Sequence, residues 1–122
     1  MHGMRFALFF VVLGAVLLIE TTLYAQAFLG DQVKGQAVYR QFCLRCHGEA
    51  LDGKGPEAIS LRLPPANFHA AHSRIKSESE LRLTIRRGRD LTAMHGWEGN
   101  LTDAQVRDVV AYIRSVIPQE KP

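Results

Sequence analysis

The sequence is poor in cysteine, in strand patterning and in long apolar runs, and each shortage narrows the reading. Its only two cysteines, Cys43 and Cys46, lie three residues apart, so no disulfide framework staples the fold. Charge of one sign is also scarce: 15 Lys+Arg against 12 Asp+Glu give a formal net charge of +3. The densest basic cluster is Arg86-Arg87-Gly88-Arg89, with no aromatics interleaved, so no nucleic-acid partner is expected. Period-two alternation of any weight is missing, which removes the βαβ setting of a thioredoxin-like Cys-x-x-Cys pair. Gly53-Lys54-Gly55 lacks the Gly-Lys-Ser/Thr ending and the preceding strand of a phosphate loop. No internal repeat is present. An ordinary globular composition of this length predicts one domain.

The one long apolar run, residues 6–19, is 14 residues, short of the roughly 20 that span a bilayer. Arg5 precedes it, polar Glu20-Thr21-Thr22 follows, and Ala25-Gln26-Ala27 is an A-x-A-like cleavage site. This layout predicts a secretory signal peptide over residues 1–27, the alternative being a retained N-terminal membrane anchor. Residues 28–122 then form the working domain, exported in either case. Its 95 residues are near the size at which a chain struggles to bury enough apolar surface unaided.

What is present centres on Cys43-Leu44-Arg45-Cys46-His47. Two thiols at this spacing can each add across one vinyl group of a haem, and the next side chain is an imidazole placed to bind the iron. Cys-x-x-Cys-His is the c-type haem attachment pattern for that reason. A zinc site built from Cys43, Cys46, His69 and His72 competes poorly, because His-x-x-His is tighter than the usual spacing and the intervening loop is long. One covalently held haem c also supplies the large apolar body that so small a domain needs.

Around the motif the pattern is helical. Asp31 is a candidate N-cap for a helix to about residue 44, with Gly35, Val38, Tyr39 and Phe42 on one face. A glycine on a buried face signals close approach of another backbone. Residues 49–65 read as a long connection with a turn near 57–61, suited to wrapping one haem edge. Ser77 or Ser79 caps a second helix that stops at Gly88, with Leu81 and Ile85 inward and Arg82, Arg86, Arg87 and Arg89 on a solvated face. Thr102 and Gln105 form a capping box for a last helix with the stripe Val106, Val109, Val110, Ile113, Val116 and Ile117. Pro118 ends it, and residues 119–122 should fray. The fold class is all-α.

A haem iron has a second axial position. Met94 is the one methionine outside the signal segment, in a glycine-bounded loop where packing has little need of it. A methionine ligand raises the potential and suits electron transfer. His95 is the rival ligand, and His69 and His72 are remoter ones.

Gly35-x-x-x-Tyr39-x-x-x-Cys43-Leu44-Arg45-Cys46-His47-Gly48 resembles the first helix and haem motif of the class I cytochromes c, and the likeness extends from residue 31 to about 117. The resemblance implies a cytochrome c-like fold of three to four short helices wrapped around one covalently attached haem. It implies that Gly35 and Tyr39 pack on the last helix at Tyr112 and Val109, the two helices crossing at nearly a right angle. Asp52-Gly53-Lys54-Gly55-Pro56 and Pro64-Pro65-Ala66-Asn67-Phe68 look like loops of small bacterial members. By the same analogy the Pro56 carbonyl accepts the Nδ1 hydrogen of His47. Ala93-Met94-His95-Gly96-Trp97 is similar to the family's Met-Pro-x-aromatic loop, with His95 in place of the proline.

The expected function is periplasmic electron transfer by a non-enzymatic carrier of one haem c, attached through Cys43 and Cys46 with His47 and Met94 on the iron. Trp97 either bonds a propionate through its indole N–H or packs its ring on the haem. Redox partner proteins dock transiently at the haem edge, where Arg45 and Arg62 are candidates to steer an acidic partner. The membrane is involved only if the N-terminal segment is retained as an inner-membrane anchor facing the periplasm. The alternatives are a haem c subunit of a larger respiratory or dehydrogenase complex and catalysis at an open, five-coordinate haem.

Overall fold

The computed structural model describes residues 8–16, 18 and 29–120. The chain from residue 31 folds as α1 (Gln32–Phe42), α2 (Leu44–His47), a 3₁₀ turn (Ala58–Ser60), α3 (Ala71–Arg74), α4 (Glu78–Arg87) and α5 (Asp103–Val116). No strand occurs among the described residues; the nearest approach is two isolated bridges, Gly88 to His95 and Glu98 to Leu101. Residues 8–16 are helical and largely exposed. Among the described residues no helix is long and apolar enough to cross a membrane. The expected cleavage site at Ala25-Gln26-Ala27 lies outside the described residues.

The three longer helices start and stop where their caps demand. The Asp31 carboxylate accepts from the Val33 and Lys34 amides, at 2.9 and 3.1 Å, and occupies two of the free donors of α1. Ser77 with Glu80 and Thr102 with Gln105 close reciprocal capping boxes on α4 and α5. Gly88 ends α4 with φ +76°.

The core lies between α1 and α5. Val38 and Tyr39 of α1 and Val106, Val109, Val110 and Ile113 of α5 are buried, with Leu81 and Ile85 of α4 closing a second side. Each such side chain contributes roughly 1.5–3 kcal/mol of apolar burial. Gly35 sets the spacing: a Cβ there would overlap the Asp108 carbonyl and press on the Tyr112 Cβ. The Asp108 carboxylate also accepts the Asp31 amide at 2.7 Å. The Tyr39 and Tyr112 rings meet at 5.3 Å, and the Tyr39 hydroxyl donates to the Gly48 carbonyl at 2.7 Å. One tyrosine thus ties the helix pair to the residue just after the cysteine–histidine motif.

Residues 48–70 are not a free loop. The amides of Gly53, Gly55 and Glu57 bond the carbonyls of His47, Cys46 and Arg45, at 2.9, 3.1 and 2.9 Å. The connection therefore folds back along the motif and satisfies the carbonyls that so short a helix leaves open. The short helices α2 and α3 were not visible as periodic patterns, because four residues are too few to show one. The C-terminal segment departs from expectation too. Instead of fraying throughout, Glu120 donates its amide to the Arg74 carbonyl at 3.0 Å, and its carboxylate pairs with the Arg74 guanidinium at 2.6 Å.

Gly35→Ala should lower the stability of the haem-loaded protein by about 2 kcal/mol in urea titration, although alanine is the better helix former. The Asp108 backbone cannot move aside without parting the two helices. Tyr39→Phe should cost about 1–2 kcal/mol, because it strips the Gly48 carbonyl of its buried donor.

Candidate functional site

The motif occupies the break between α1 and α2. Cys43 caps both helices: its amide bonds the Tyr39 carbonyl at 2.8 Å, and its carbonyl accepts the His47 amide at 2.9 Å. Both cysteines are free thiols and half-buried. Burial, and then the neighbouring Cys46, pushes the Cys43 thiol up to about 12, so it is protonated at neutral pH.

His47 is half-buried, its ring 5.2 Å from that of Phe68. Burial lowers its pKa below the ordinary imidazole value, and a hydrogen bond to the Ala66 carbonyl opposes that shift. The imidazole is therefore neutral at pH 7. Its Nδ1 lies 3.3 Å from the Ala66 carbonyl, and with Nδ1 donating, Nε2 keeps its lone pair for a metal. The acceptor expected from the resemblance, Pro56, is not the one within reach. Pro56 is exposed between Gly55 and Glu57, whose amides are bonded to the main chain of the motif. The second arm of the connection supplies the carbonyl instead. Gly53 lets the Pro65 and Ala66 carbonyls approach closely, and the Phe68 amide bonds Leu51 at 2.9 Å.

Met94 stands on the loop between α4 and α5, half-buried and packed on the core. The loop is pinned at several points. The Thr92 hydroxyl donates to the Arg89 carbonyl at 2.9 Å and accepts the Met94 amide at 3.1 Å. The Met94 carbonyl accepts the Arg89 amide at 2.8 Å. Further on, the Trp97 and Glu98 amides bond the Ile85 and Arg86 carbonyls of α4, at 3.0 and 3.1 Å. His95 is exposed and lies over Trp97 with ring centroids 4.4 Å apart, while the Trp97 ring meets Phe42 edge-on at 5.4 Å.

The donor set suits a haem: a neutral imidazole, a thioether and two thiols three residues apart. Phe42, Leu44, Phe68, Met94 and Trp97 add apolar surface that is only partly covered by the protein. The alternative metal set is not assembled. His69 and His72 are exposed, His69 Nε2 bonds the Ala50 carbonyl at 2.8 Å, and no group of three or more His, Cys, Asp or Glu is placed to hold a metal among the described residues. Of the arginines considered for steering, Arg45 is ion-paired with Glu57 and Arg62 is exposed. Sequence reasoning missed Thr92 and Ala66. A threonine two residues before Met94 was a readable turn signal, whereas a backbone carbonyl leaves no mark on side-chain patterns.

Comparison with known proteins bears on the family and the fold. Residues 30–113 match the family described as cytochrome C oxidase, cbb3-type, subunit III. The chain is 37% identical over 90 residues to the dihydro-heme d1 dehydrogenase of Pseudomonas aeruginosa, covering 73% of this chain and 16% of that protein. It is 32% identical over 93 residues to a nicotinate dehydrogenase chain of Pseudomonas putida, covering 72% of this chain and 8% of that protein. The chain thus spans less than a fifth of either curated relative. Among solved structures, a chain of the Kuenenia stuttgartiensis reducing HAO-like protein complex superposes with a TM-score of 0.62 at 26% identity, covering 73% of this chain and 46% of that one. A dihydro-heme d1 dehydrogenase complex superposes with a TM-score of 0.53 at 35% identity, covering 73% and 17%.

Thr92→Val should free the Met94 amide. Its hydrogen exchange should quicken about five- to tenfold by NMR, with the core amides of α1 and α5 unchanged, as losing one hydrogen bond of about 1 kcal/mol requires.

Proposed function

The chain belongs to the cytochrome c family described as cytochrome C oxidase, cbb3-type, subunit III, and from that premise we propose a single-electron carrier with one haem c. Cys43 and Cys46 would hold the haem through thioethers, and His47 and Met94 would supply the ligands to its iron. The observation that carries this reading is the half-buried, neutral His47 directly after two free thiols, its Nδ1 turned to the Ala66 carbonyl. Bound haem supplies one-electron iron chemistry, at a potential that a methionine ligand raises.

The chain's own residues orient, exclude water and limit movement. Ala66 and Phe68 fix the plane and tautomer of His47, while Thr92 and Arg89 hold the Met94 loop to α4. The half-buried position of Met94 and the exposure of His95 favour methionine as the second ligand. Packed rings of Phe42 and Trp97 keep water from this region, which is the role we assign Trp97. Pro56 is exposed between two residues whose amides bond the motif's main chain, and it is given no contact with the haem.

Cytochrome c domains of this kind are typically periplasmic, and a signal peptide over residues 1–27 accords with export. Redox proteins are the partners, meeting the domain transiently at the haem edge. A second reading, a haem c subunit of a larger respiratory or dehydrogenase complex, is favoured by one fact: the curated relatives carry the matching segment within much longer proteins.

The oxidised protein should show a weak near-infrared sulfur-to-iron charge-transfer band. Met94→Ala should abolish it and His95→Ala should leave it. The opposite pattern would falsify the Met94 assignment, and an open position in the wild type would support catalysis at a five-coordinate haem instead.

A further inference from the structure

A groove of about 470 Å³ runs between α4 and α5, with no residue of the cysteine motif in its lining. Four arginines line it, Arg82, Arg86 and Arg87 from α4 and Arg107 from α5, against two carboxylates, Glu98 and Asp103. The exposed Leu83 gives it an apolar component, over the buried Val106. Two of the arginines are already matched: Arg82 pairs with Glu78 at 3.3 Å, and Arg86 bridges Glu98 and Asp103 at 3.6 and 3.4 Å.

Arg87 and Arg107 are not matched; neither takes part in an ion pair among the described residues. Arg107 is half-buried, and its Nε is buried without a hydrogen-bond partner. A buried guanidinium N–H is costly to leave unpaired, and a carboxylate is its natural bidentate partner. The groove is thus lined by two guanidinium groups that no carboxylate of the described residues pairs. It also adjoins the Met94 loop, because the Glu98 amide bonds the Arg86 carbonyl at 3.1 Å and Gly96 rests on the Arg86 and Arg87 carbonyls.

We propose that this groove is a docking socket for an acidic segment of a redox partner protein, with Arg87 and Arg107 receiving its carboxylates and Leu83 its aliphatic stems. Charge complementarity selects the occupant, and the volume, within the usual range of binding clefts, admits several side chains rather than a single ion. The inference deepens the carrier reading and rests on it for the partner's class. The socket would anchor the partner beside the loop that holds Met94, in addition to its contact at the haem edge.

The test is calorimetric titration of the haem-loaded protein with an acetylated hexaglutamate peptide at low ionic strength. Binding should weaken about tenfold in Arg87→Glu and in Arg107→Ala, and fall as salt is added. Arg87 is exposed, so its variant reports even if Arg107→Ala fails to fold. Lys34→Glu, an equal charge reversal on α1, should change affinity less than twofold. An equal loss in Lys34→Glu would show general attraction to a basic protein and overturn the socket. So would absence of peptide binding, or inorganic pyrophosphate binding there more tightly than the peptide, which would indicate a small-anion site. The charge-transfer band is read on the same samples. Binding without the band strikes the ligation reading alone, and the band without binding strikes the socket alone.

Discussion

The contact of α1 with α5 is the constraint on which the rest depends. It is made by backbone against backbone, since Gly35 has no side chain to hold the Asp108 carbonyl away. Two helices this close exclude water from the valines of α5 and let Tyr39 reach past Tyr112 to the Gly48 carbonyl. Because Asp108 also accepts the Asp31 amide, the first turn of α1 and the middle of α5 are fixed together at a polar and an apolar point. The motif sits at the far end of α1. Its position is therefore an extension of that helix pair rather than a property of the cysteines.

The two sides of the candidate site are held by different means. On the His47 side the main chain is responsible: Gly53, Gly55 and Glu57 lay the connection along the motif, and Ala66 offers a carbonyl to the ring. On the Met94 side one side chain, Thr92, acts as both donor and acceptor while α4 supplies carbonyls to the residues that follow. A haem held there by His47 and Met94 would gain from both, because ligands that move little on electron transfer lower the reorganisation that must accompany it.

Much of this was legible in the sequence, for reasons that differ by residue. Caps at Asp31, Ser77 and Thr102 are local signals between neighbours, so they could be read directly, as could the stripe of α5. Gly35 and Tyr39 could be paired with Tyr112 only through the resemblance to class I cytochromes c, because no periodicity links residues so far apart. The all-helical fold and family membership agree with that reading. The partner of His47 could not be read from residues, since any of several backbone carbonyls in a folded-back connection serves equally well, and the analogy chose Pro56 where Ala66 lies. Arg86 and Arg87 are exposed, as a solvated face requires, but the ion pairs of Arg86 could not be read locally because Glu98 and Asp103 come from a later stretch of chain.

Gly30 packs its backbone on the Arg107 carbonyl, and α5 ends at Ile117, after which Glu120 ties the chain to Arg74. The point of entry and the end of the last helix thus lie along one and the same helix, separated by about ten residues of α5, or roughly 15 Å. A unit of that topology can be spliced into another polypeptide with short tethers and without unpicking its core, since neither junction threads through the interior. Duplication and fusion are then geometrically cheap for such a fold. That accords with similar segments occupying small fractions of much longer dehydrogenase chains.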